Sequence, residues 1–135
     1  MFNTCIYSSI VFLINAIIAY IYKYNTFSIL LLLLTISSIY HHSKYTVYSN
    51  FYDKIVIFFV ISYGLNIFIK KCLKYKLKNK IIYKIIPILT IIVNSLFYFY
   101  GYKYNKYCFD EKYGYYFHSL LHIFSSICIN SIIIM

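Results

Sequence analysis

The sequence predicts an all-α fold, a polytopic transmembrane helix bundle of about five spans that forms a single transmembrane domain over residues 1–135. Three observations predict it. Hydrophobic residues make up 62% of the chain and charged residues 12%, where a soluble domain carries roughly 25% charge. Apolar runs approach bilayer-crossing length five times, separated by short polar breaks. No internal repeat and no Pro- or Ser-rich linker divides the chain, so one domain is the natural count.

The first span, residues 6–22, lacks a basic leader and a small-residue cleavage site, so it reads as a retained span rather than a signal peptide. The second, residues 27–42, ends in His41 and His42. It is short, and counts as a crossing only with the histidine pair at membrane depth. A polar loop over residues 43–52 follows, and Asp53 opens the third span, residues 54–69. The fourth, residues 85–100, holds Pro87 in its first turn, where a missing N–H costs little. The fifth, residues 115–135, carries His118 and His122. Mid-span Asn15, Asn66, Asn94 and Asn130 read as interhelical hydrogen bonders. The abundance of Ile, Tyr, Lys, Asn and Phe also fits AT-rich coding, which dilutes their individual meaning.

Charge gives an orientation. The chain has thirteen lysines, no arginine and three acids, for a formal net charge of +10. Lys70, Lys71, Lys74, Lys76, Lys78, Lys80 and Lys84 crowd the connection between the third and fourth spans. The positive-inside rule places that connection in the cytoplasm. The N-terminus of this integral membrane protein is then outside or lumenal and the C-terminus cytoplasmic. The lysine cluster reads first as this topology signal and second as a patch for anionic lipid. Nothing else points to a nucleic-acid fold, so no nucleic-acid partner is expected. Cys5, Cys72, Cys108 and Cys128 form no CxxC pair, which excludes a zinc ribbon or a thioredoxin-like motif.

With five spans, His41, His42, Asp53, His118 and His122 all fall at one membrane face. His118 and His122 stand at i and i+4, one turn apart on one helix face. Histidines at membrane depth are costly unless paired, metal-bound or in a wet cavity. A catalytic zinc takes three protein ligands and leaves a fourth position open, and two histidines of one helix with a third from a neighbour suit that geometry. Asp53 could orient the attacking water or act as general base. Ser37 and Ser38 precede His41 and His42 by one turn, and either hydroxyl could hydrogen-bond water or an oxyanion. The plainer reading makes these interfacial histidines with satisfied hydrogen bonds and Asp53 a helix N-cap.

These motifs are Ser37-Ser38-Ile39-Tyr40-His41-His42, then Asp53, then His118-Ser119-Leu120-Leu121-His122. The pattern resembles the CREST superfamily of membrane hydrolases, which includes alkaline ceramidases, progestin and adipoQ receptors and myomaker-like proteins. The aromatic before the first histidine looks like the family form and selects Ser37 with His41. The gap of eleven from His42 to Asp53 looks like the ceramidase spacing and selects Ser38 with His42. The resemblance implies a metal site of His41 (or His42), His118 and His122, with Ser37 (or Ser38) and Asp53 as catalytic residues. It implies a Zn2+ cofactor and a lipid amide or ester as substrate. It also implies seven spans where this chain shows five, so a homo-oligomer is one source of the missing wall. The alternative is a non-enzymatic membrane protein with a structural zinc site or none.

Overall fold

The computed structural model describes residues 4–74 and 81–135. Its elements are α1 (Thr4–Ser9), α2 (Val11–Ile21), α3 (Asn25–Lys44), α4 (Val47–Lys74) and α5 (Ile81–Ser95). A π-helical turn (Leu96–Tyr100), α6 (Gly101–Tyr104), a 3-10 turn (Tyr107–Phe109) and α7 (Gly114–Ile134) follow, and no strand occurs among the described residues. Five helical stretches are long and apolar enough to cross a membrane: Thr4–Ile21, Asn25–Lys44, Val47–Lys74, Ile81–Tyr104 and Gly114–Ile134. Ile14, Ile17, Ile36, Phe58 and Ile91 point outward and exposed, as expected of side chains that face lipid. The fold is that of an integral membrane protein.

The third helix starts well before the expected boundary at residue 54. Thr46 and Ser49 cap it reciprocally: Ser49 N–H donates to Thr46 Oγ1 and Thr46 N–H to Ser49 Oγ, both at 3.1 Å. The polar stretch expected to be a loop therefore folds as the first turns of α4. The turn from α3 shrinks to Tyr45 and Thr46, with Tyr45 in the left-handed region at φ 47°. Asp53 consequently lies inside α4 instead of capping it. Pro87 likewise falls within α5, beyond its first turn. Lys76, Lys78 and Lys80 of the lysine-rich connection lie outside the described residues.

α3 packs on α2 along one side and on α4 along the other, while α1 and α2 fill the space between α3 and α7. α5 packs on α7. The first span turns Cys5, Ser8, Ser9, Phe12, Asn15, Ala16 and Ala19 inward, at the three- and four-residue spacing of one helix face. Small side chains on that face let neighbouring backbones approach closely. At Gly64 of α4, an added Cβ would lie 3.3 Å from the ring of buried Phe27, so the glycine seats that ring. At the far end, Lys71 Nζ donates to the carbonyls of Ile132 and Ile133 at 2.9 and 2.6 Å, neutralising the partial negative charge at the C-terminus of α7. The bundle thus has a lysine end and, opposite it, a histidine end.

Candidate metal centre

Consecutive residues on an α-helix point roughly 100° apart, and the last two turns of α3 use this to serve two neighbours. Ser37 and His41 face α4. Ser37 Oγ donates to Asp53 Oδ1 at 2.6 Å, and His41 Nδ1 lies 3.2 Å from Ser49 Oγ. Ser38 and His42 face α1 and α7. Ser38 Oγ is 2.8 Å from Ser9 Oγ, and the His42 ring centroid is 4.9 Å from that of His118 and 5.3 Å from that of His122. The rings of His118 and His122 are 4.9 Å apart.

Three histidines converge here: one ligand atom from each of His42, His118 and His122 lies within 4.8 Å of the others. The ring of His41 stands beside this group, 5.1 Å from that of His42. The structure therefore draws on both serine–histidine registers. Asp53 takes Ser37 from one, and the histidine group takes His42 from the other.

The group fits a tetrahedral metal. Zinc–nitrogen bonds of about 2.0–2.1 Å bring neighbouring donor nitrogens to roughly 3.4 Å of one another, and the three donor atoms here already lie within 4.8 Å of one another. Imidazole donors suit zinc. Cys108 lies on the connection before α7 and lines the pocket, but the atoms that converge are those of His42, His118 and His122, so the donor set is three imidazole nitrogens.

The surroundings distinguish a front from a back. In front, an open pocket of about 370 Å³ is lined by His41, His42 and His118 together with Cys5, Tyr45, Cys108, Phe109, Asp110, Glu111, Gly114 and Tyr115. Behind, His122 is buried, with its ring 5.4 Å from Phe12 and its Nδ1 2.8 Å from Ser8 Oγ. A hydroxyl at one ring nitrogen leaves the other to face a metal, the usual outer-shell arrangement for a histidine ligand. Ser8 and Ser9 escaped the sequence reasoning. Their signal is the repeat of small or polar residues at positions 5, 8, 9, 15, 16 and 19, continued by the bond from Asn15 Nδ2 to Asn130 Oδ1 at 2.7 Å.

Asn94 also meets the role expected of it, donating to Ser125 Oγ at 2.9 Å. Asn66 instead is exposed and lines a second pocket at the lysine end. No protein-family model matches the chain, and no match occurs among curated proteins or solved structures.

Proposed function

We propose that this chain is a zinc-dependent integral-membrane hydrolase that cleaves an amide or ester bond in a membrane lipid, with its site at the outer or lumenal face. The observation that carries this is the convergence of His42, His118 and His122 from two spans beneath an open pocket. Three ligands with an accessible fourth side are the pattern of a catalytic rather than a closed site. A zinc ion there supplies a Lewis acid and a water that ionises near neutral pH. The chain supplies the rest. Ser37 gives its hydroxyl hydrogen to Asp53 and holds the carboxylate on the α4 side of α3, outside the pocket lining, and we assign Asp53 the proton transfer of turnover. Ser8 holds His122 from behind.

A second reading, a structural clip without turnover, is favoured by one observation. α1 lies between α3 and α7, so an ion shared by His42 with His118 and His122 would tie two helices across it.

The test is the metal content of detergent-purified protein, wild type beside His118→Ala/His122→Ala, followed by a panel of lipid amides and esters. About one zinc per chain, absent from the double variant, with turnover that fails in Asp53→Asn, is the expected result. Zinc without turnover on any lipid selects the clip, and no zinc in the wild type overturns both. Because each imidazole must be neutral to bind, protons compete with the metal. Zinc occupancy should accordingly fall on acidification and recover on titrating back.

A further inference from the structure

The lysine end holds a cavity that the proposed chemistry does not use. It is about 300 Å³ in volume and is lined by Tyr24, Tyr63, Asn66, Ile67, Lys70, Lys71 and Lys74. Apart from Tyr24, at the start of α3, these residues come from one stripe of α4, at positions 63, 66, 67, 70, 71 and 74, the spacing of a single helix face.

The stripe is graded along its length. At 1.5 Å per residue, the lysines sit roughly 10–16 Å further toward the helix end than Tyr63. Charge is therefore at the rim, a phenol and an amide lie midway, and apolar Ile67 is on the wall. Two further features give the rim its character. Lys71 is held in place, its ammonium on the carbonyls of Ile132 and Ile133 and 5.1 Å over the ring of Tyr24. No acidic side chain lines the cavity, and Asp53, Asp110 and Glu111 all belong to the opposite end of the bundle.

We propose that this cavity binds the phosphate of an anionic phospholipid in the leaflet at the lysine end. Lys70 and Lys74 contact the phosphate at the rim. Tyr63 and Asn66 hydrogen-bond the glycerol ester region one to two turns deeper, and the acyl chains lie against the exposed apolar side chains of α4. This order of charge, hydrogen-bonding groups and hydrocarbon is the order of groups down a phospholipid. A basic pocket between membrane helices on the cytoplasmic side is a recognised setting for acidic headgroups. The lysine stems reach outward through the interface to keep their ammonium groups at headgroup level.

The experiment compares thermal unfolding of the detergent-solubilised protein with added phosphatidylglycerol, phosphatidylcholine or inorganic phosphate, for wild type, Lys70→Gln/Lys74→Gln and Lys103→Gln/Lys106→Gln. The second double variant removes the same charge from the histidine end. The expected result is a midpoint rise with phosphatidylglycerol that is absent with phosphatidylcholine, is lost in Lys70→Gln/Lys74→Gln and is kept in Lys103→Gln/Lys106→Gln. Asn66→Leu, which leaves every lysine in place, should reduce the rise. An equal rise with inorganic phosphate makes the site one for free phosphate and overturns the lipid assignment. Equal loss in both lysine variants shows nonspecific attraction to net charge and overturns the site. None of the substituted residues belongs to the histidine group, so zinc content should not change and this result stands or falls separately from the hydrolase.

Discussion

The first and fourth spans have nearly the same mean hydropathy, 2.0 and 1.8, yet 39% of the first is buried inside the bundle and only 6% of the fourth. Both are apolar enough to enter a membrane. Only the first is threaded between two other spans, and it carries Ser8, Ser9, Asn15, Ala16 and Ala19 on its inner face. The fourth buries Pro87, Thr90 and Gly101, adds the Asn94 bond to Ser125, and turns most of its isoleucines outward. In lipid, burying an isoleucine gains little, because hydrocarbon is already its solvent. Close backbone approach and interhelical hydrogen bonds decide which helix goes inside. Overall hydropathy therefore finds spans, while the placement of small and polar residues sorts them.

Substitutions can break or sharpen this contrast. The largest effect should come from Ala16→Leu, which forces a bulky side chain into a position 1% exposed. Overpacking should cost about 1–3 kcal/mol, read as a lowered unfolding midpoint in detergent. Ser8→Ala should leave the fold nearly intact but, at the proposed zinc centre, weaken metal binding about 10–100-fold, the usual cost of losing a ligand's outer hydrogen-bond partner. Competition with a chelator of known affinity measures it, and Ser8→Thr should restore most of the loss. In the fourth span, Asn94→Ala removes one hydrogen bond, to Ser125, and should cost about 0.6 kcal/mol, the average for such bonds in a membrane protein. The smallest change is Ile91→Ala, at a position 56% exposed, with an expected effect within about 0.5 kcal/mol. If Ile91→Ala destabilised as much as Ala16→Leu, the fourth span would be packed against something, such as a second copy of the chain.

The sequence made the bundle legible because bilayer length and apolar runs are strong local signals. It also brought the histidines and Asp53 to one face, since helix order alone fixes sidedness. It did not reveal that α4 starts at Val47, because the Thr46–Ser49 capping box reads as a polar loop by hydropathy. The choice between His41 and His42 stayed open for a related reason. Neighbours in sequence differ by a rotation of α3 that only the packing of α1, α4 and α7 determines. Ser8 and Ser9 went unnoticed because a serine in an apolar run has no chemical signature until its partner across the helix gap is known.

The fourth span contributes little packing, yet it sets an angle that matters at the site. Between Leu96 and Tyr100 the helix winds as a π-turn, and Gly101 N–H reaches back to the Leu96 carbonyl. One extra residue per turn advances everything downstream by about 100°. That phase turns Phe97 onto Tyr107 and Phe117, with ring centroids 5.1 and 5.5 Å away. It also turns the bare Gly101 toward the Lys106 carbonyl oxygen, where a Cβ would sit only 2.5 Å away. Deleting Phe99 would return the stretch to ordinary α-winding and swing the connection that delivers His118. The most lipid-exposed helix of the bundle would then act on the histidine group as a clock hand does, through its phase and without touching it.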